Sequence, residues 1–116
     1  MKLFPIFVRI KNRFISRMYL TPYIPQIRKL CEQHRVERLY AFGSALTERF
    51  SEDSDVDFLY TFKNDIPLLE IVDYYFNLQN DLEKTLHRPV DLTSEKDLGN
   101  PYFIKEVNAS KQLIYG

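Results

Sequence analysis

Residues Gly43 to Phe58 read GSALTERFSEDSDVDF, with Asp53, Asp55 and Asp57 on alternate positions just ahead of the apolar run VDFLYTF. In a strand, whose side chains alternate, Asp55 and Asp57 point the same way, their Cα atoms roughly 6.6 Å apart. Val56, Phe58 and Tyr60 then point the other way. Two carboxylates that converge to about 5 Å repel by on the order of 3 kcal/mol at an effective dielectric near 20. Water at an exposed turn can screen that repulsion, or a cation can hold the pair together. A third candidate is Asp91, which faces out of the strand-like run RPVDLT while Val90 and Leu92 face in. Asp55, Asp57 and Asp91 together are hard oxygen donors of the kind magnesium prefers. Two such metals, about 3.5–4 Å apart, can clamp the attacking and leaving oxygens of a phosphoryl transfer.

Upstream, Gly43-Ser44 closes the preceding strand-like run RVERLYAF. A glycine there lets a phosphate approach the backbone, and the free N–H groups of a following helical turn favour anions. Each piece alone is a weak signal, because acidic pairs and Gly-Ser steps are common in turns. The combination is more telling: Gly-Ser ending a strand, ten residues, Asp-Val-Asp opening the next, then an outward Asp on a later strand. It provides donors for a triphosphate and carboxylates for the metals that neutralise it.

Other polar candidates have plainer readings. Asp53 shares the parity of the pair but sits in the turn SEDS, where it reads as solvated or capping. His34 and His87 fall at the ends of predicted helices, where a cation complements the helix dipole. Cys31 lies on an apolar stripe and reads as core. Arg49 and Lys63 could reach a phosphate, but no spacing selects them. Tyr74-Tyr75-Phe76 reads mainly as helix packing.

The elements that must position the carboxylates are legible from pattern. Thr21-Pro22 looks like a cap with proline in the first helical position. Ile24, Ile27, Leu30 and Cys31 then recur at helical spacing to about His34. Strands are predicted over Arg35–Phe42, Val56–Phe62, Arg88–Thr93 and Lys111–Tyr115, with a short helix or turn over Ala45–Phe50. Asp65-Ile66-Pro67 opens a long helix with Leu68, Ile71, Val72, Tyr75, Phe76, Gln79, Leu82 and Leu86 along one stripe. Asn100-Pro101 repeats the cap-plus-proline signal and starts a helix of about eight residues. The order helix, strand, strand, helix, strand, helix, strand predicts an α/β (α+β) fold, a small mixed sheet with helices packed on one face.

Composition bounds the rest. The 116 residues, 45% hydrophobic and 15% aromatic, suffice for one domain with a proper core. One cysteine excludes an internal disulfide framework and a cysteine zinc site, which suits a cytoplasmic protein. The zero net charge is asymmetric. Residues 1–18 hold five basic and no acidic side chains, leaving 11 basic against 16 acidic in residues 19–116. An acidic body argues against a broad nucleic-acid surface, and no apolar run approaches the roughly 20 residues that span a bilayer. We therefore divide the chain into a basic extension, 1–18, and a catalytic domain, 19–116. The extension lacks the pattern of a signal peptide; it reads as a packing extension or as the result of an upstream start codon, Met18 being the alternative start in the second case.

With these residues placed, GSALTERFSEDSDVDF closely resembles the Gly-Ser…Asp-x-Asp signature of the DNA polymerase beta-like nucleotidyltransferase superfamily. VDLTSEKDLGNPYFIKEVNASKQLIYG is similar to the ending of its minimal nucleotidyltransferase (MNT) domains. The resemblance covers about residues 22 to 116. It implies Gly43 and Ser44 at the nucleotide phosphates and Asp55 and Asp57 on the metals. Asp91 would be the third carboxylate, a metal ligand and base for the incoming hydroxyl. It also implies Mg2+, at one or two sites, with ATP as substrate. Glu48 stands where many relatives have glycine, a departure that bears on the turn beside the triphosphate. Since almost every residue is committed to the scaffold, the acceptor is expected on a partner protein. The resemblance to the antitoxin halves of HEPN/MNT pairs implies AMP transfer from ATP to a tyrosine of a HEPN ribonuclease. Two other readings stay open: a non-catalytic module that masks its partner, and a small-molecule nucleotidyltransferase that borrows an acceptor domain. A homo-oligomer is compatible with all three.

Overall fold

The computed structural model describes residues 19–42 and 55–116. The basic extension, Gly43, Ser44, the turn expected over 45–50, Glu48, Arg49 and Asp53 lie outside them. Among the described residues, helices and strands follow in the expected order: α1 (Ile24–Gln33), β1 (Val36–Phe42), β2 (Val56–Phe62), α2 (Ile71–Leu86), β3 (Val90–Ser94), α3 (Pro101–Ser110) and β4 (Gln112–Tyr115). The sheet is mixed, with spatial order β3-β2-β1-β4. β1 pairs antiparallel with β2 and β4, whereas β2 pairs parallel with β3 through the α2 crossover. None of the described helices is long and apolar enough to cross a membrane.

Central placement explains why β2 does not alternate cleanly. Phe58 and Leu59 are consecutive, so they face opposite sides of the sheet, and both are fully buried. One side is covered by α1 and α2. Ile27 and Cys31 of α1 and Leu78, Leu82 and Leu86 of α2 are fully buried there, each leucine worth about 1.5–3 kcal/mol of removed apolar surface. His34, just past the end of α1, shares a 2.7 Å hydrogen bond with Asp81 Oδ2 of α2, so it clamps the two helices together. His87 closes α2 in the left-handed region at φ 57°.

Several expectations shift. Thr21 is not a cap: the chain is already helical at Leu20, and Thr21-Pro22 lies in a 3-10 turn that leads into α1. The long helix starts at Ile71, because Pro67 is extended (ψ 140°) and Leu68–Glu70 form a 3-10 turn. Leu68 is consequently 81% exposed, and Val72 and Phe76 are exposed too. The buried line runs through Leu82 and Leu86, as expected, and through Leu78, which the expected stripe lacked. β3 begins at Val90, two residues later than expected, after Pro89, which lacks an N–H to donate. The Asn100 side chain caps α3 by accepting from the Tyr102 and Phe103 N–H groups, and the helix runs ten residues. It does not join α1 and α2. Phe103 of α3 meets Phe42, whose register partner is Asp57, so α3 lies on the opposite face. "Helices on one face" therefore holds for α1 and α2 only.

Candidate active site

The parallel ladder between β2 and β3 matches Val56 with Val90, Asp57 with Asp91 and Phe58 with Leu92. Facing positions on neighbouring strands lie about 4.8 Å apart and send their side chains to the same face. In the antiparallel ladder, Asp57 is also the partner of Phe42. One row thus crosses three strands: Phe42, Asp57, Asp91. The apolar neighbours fix which way the acids point. Val56, Phe58, Val90 and Leu92 are buried on the side of α1 and α2, which leaves Asp57 half-buried and Asp91 exposed on the other.

Three side chains of α2 hold β3 in that register. Gln79 Nε2 donates to the Val90 carbonyl at 2.9 Å, and Glu83 Oε2 accepts from the Val90 N–H at 3.0 Å. The Tyr75 hydroxyl donates to the Leu92 carbonyl at 3.2 Å. Asp91 is therefore bracketed by residues whose backbone groups α2 holds. β3 is an edge strand, and these bonds occupy groups that an unprotected edge would leave open. Burial, and after it the negative charge of Asp91, raises the Tyr75 phenol above its ordinary value, so it remains a donor.

Above the row is a cavity of about 390 Å3 lined by Phe42, Asp57, Asp91, Thr93, Phe103, Glu106, Val107 and Ser110. The α3 contributors are spaced 103, 106, 107 and 110, one face of a helix. Phe103 meets Phe42 edge-on, with centroids 6.0 Å apart at 74°. Among the described residues that line it there is no lysine or arginine. Two carboxylates on adjacent strands are a hard oxygen donor set that fits a divalent cation.

Asp57 and Asp91 come together on adjacent strands; Asp55 lies two residues ahead of Asp57. It precedes β2, is exposed, and does not line the cavity. Among the described residues, no three Asp, Glu, His or Cys side chains gather at metal-binding spacing. The plainer readings fit the structure: Cys31 is core, with its thiol pushed up to about 12 by burial, and both histidines terminate helices. Sequence reasoning passed over Phe42, Thr93, Phe103, Glu106 and Ser110. The 103/106/107/110 spacing was the available signal, but on a short helix it reads equally well as a core stripe.

A family model for the nucleotidyltransferase domain of polymerase beta matches residues 25–116. The chain belongs to the polymerase beta nucleotidyltransferase family. A relative from Methanocaldococcus jannaschii, named "Putative protein adenylyltransferase MJ0126", is 32% identical over 88 residues, 76% of this chain and 84% of that protein. A solved structure of a "putative minimal nucleotidyltransferase" aligns with a TM-score of 0.65 at 30% identity, covering 80% of this chain and 90% of that one. A chain in the complex of a tri-AMPylated Shewanella oneidensis HEPN toxin with MNT antitoxin has the same fold. Its TM-score is 0.56 at 17% identity, over 83% of this chain and 71% of that one. In this nucleotidyltransferase the row of Phe42, Asp57 and Asp91 and the wall formed by α3 are the parts of the candidate site that the described residues build.

Proposed function

We propose that this nucleotidyltransferase moves AMP from ATP onto a tyrosine hydroxyl of a HEPN-type partner and so acts as its antitoxin in the cytoplasm. The observation that carries the reading is the pairing of Asp57 with Asp91 on adjacent parallel strands at the floor of an open cavity. The names of the similar proteins, a protein adenylyltransferase and an MNT antitoxin bound to an AMPylated HEPN toxin, support the acceptor class.

In this reading Asp57 and Asp91, joined by Asp55 from the segment ahead of β2, hold magnesium, and Gly43 and Ser44 receive the triphosphate. The metal supplies positive charge against the phosphates and the departing pyrophosphate. Asp91 takes the phenolic proton as the acceptor oxygen bonds to the α-phosphorus, and the bond from that phosphorus to the leaving pyrophosphate breaks in line. α3 walls the cavity and excludes water from one side. Residues 19–116 form the catalytic unit, and the basic extension, 1–18, is an addition to it.

The test incubates the purified chain with α-labelled ATP, Mg2+ and the product of its neighbouring gene, expected to be a HEPN-type protein. Label on a tyrosine of that protein is expected. Unlabelled partner across Mg2+, Mn2+ and Co2+ contradicts the proposal. If an Asp55→Ala/Asp57→Ala double variant protects cells from the partner as well as wild type does, the masking reading replaces it.

A further inference from the structure

Of the eight tyrosines in the chain, Tyr102 alone is exposed, at 82%; the other seven are partly buried in the fold. Tyr19 donates to the Leu86 carbonyl and Tyr75 to that of Leu92, Tyr23, Tyr60 and Tyr74 pack on other rings, and Tyr40 lies under the Lys111 ammonium. Tyr102 is also placed unlike the others. It sits in the first turn of α3, directly before Phe103, which lines the carboxylate cavity. It stands one turn ahead of Glu106, a second lining residue, and positions four apart are neighbours on a helix surface. Long helical side chains lean towards the N-terminus, so the exposed phenol extends towards the start of α3 from a position next to two lining residues.

We propose that Tyr102 is a self-modification site: its phenolic oxygen accepts the nucleotidyl group when no partner hydroxyl occupies the cavity. This rests on the transfer reading given above and goes beyond it. The Tyr102 oxygen bonds to the α-phosphorus of the nucleoside triphosphate, the bond to the pyrophosphate breaks, and the phenolic proton passes to a carboxylate of the site. The product carries an aryl phosphodiester with one negative charge at the cavity mouth, where an incoming tyrosine must pass. Self-modification therefore competes with transfer to the partner and then obstructs it. α3 can present this residue because it is lightly held: Val107 is its one buried side chain.

The experiment uses the full chain with ATP and Mg2+, first without any other protein. Intact mass and peptide mapping should show one added AMP moiety on Tyr102. Tyr102→Phe should lose that adduct while still labelling the HEPN-type partner. Asp57→Asn should lose both activities. An adduct on another residue, Ser110 or Thr93 of the cavity included, overturns the proposal. So does an unmodified chain from a preparation that labels the partner, and that result leaves the transfer reading standing. Absence of label on both proteins sinks the proposal together with the reading it rests on.

Discussion

The two faces of the sheet are held by very different amounts of structure. On one, α1 and α2 bury Ile27, Cys31, Leu78, Leu82 and Leu86 completely, and a His34–Asp81 bond ties the helices together. On the other, α3 buries Val107 and leans Phe103 on Phe42. The closed face fixes the strands and, through Tyr75, Gln79 and Glu83, the position of β3. The open face keeps the carboxylates Asp57 and Asp91 accessible. In the proposed reading, stability and chemistry are divided between opposite sides of the same strands, with side-chain alternation doing the dividing.

Mutations should separate the faces. Leu82→Ala removes a fully buried side chain and should cost about 2–5 kcal/mol in chemical denaturation. Asp57→Asn or Asp91→Asn should leave the denaturation midpoint nearly unchanged yet slow nucleotidyl transfer by roughly 100-fold or more, as loss of a key electrostatic group does. An equal loss of stability and activity in either variant would erase the distinction. Gln79→Ala falls between: about 1 kcal/mol of stability for one hydrogen bond, with a drop in transfer because Asp91 loses part of its support. Phe103→Ala, on a 40% exposed side chain, should cost no more than about 1 kcal/mol.

pH acts on the closed face. The Cys31 thiol is raised by burial from about 9 to about 12, so the neutral form is the one the fold accommodates. That contribution is complete below the ordinary thiol value and is lost as pH climbs from about 9 towards 12. Tyr60 and Tyr75 act in the same direction from a start near 10, both raised chiefly by burial. Denaturation midpoints should fall steadily over that range, and Cys31→Ala should flatten the part below pH 10. The smallest expected change is a gain. His87→Gly relieves a left-handed position at φ 57° and should add about 0.5–1 kcal/mol.

Much of this was legible in the sequence because it is local. Val56–Phe62 was bounded by the switch from acidic turn to apolar alternation, and Asn100-Pro101 announced α3 through capping chemistry. Gln79 stood in the helical stripe as an unexplained polar residue, and its bond to Val90 accounts for it. The non-local relations were not legible. Alternation tells which way Asp57 and Asp91 point, but not that β2 and β3 are neighbours or that 57 falls opposite 91. The side of the sheet that α3 takes was missed for the same reason: Val107 and Phe103 look alike in a core stripe and in a cavity wall. Leu68 falls on the expected helix face because Asp65-Ile66-Pro67 reads as the helix opening, whereas the extended backbone of Pro67 delays the helix.

The central claim is that Asp57 and Asp91 hold nucleotide through divalent cations on the open face, and thermal unfolding with and without ligand tests it most directly. Saturating ATP with Mg2+, at about 100 times the dissociation constant, should stabilise the wild-type chain by about 2.7 kcal/mol. ATP with EDTA should give little of that stabilisation, and the Asp57→Asn/Asp91→Asn double variant, folded and with an unchanged baseline midpoint, should show no Mg2+-dependent part. A double variant that Mg2+-ATP stabilises as strongly as wild type would contradict the account.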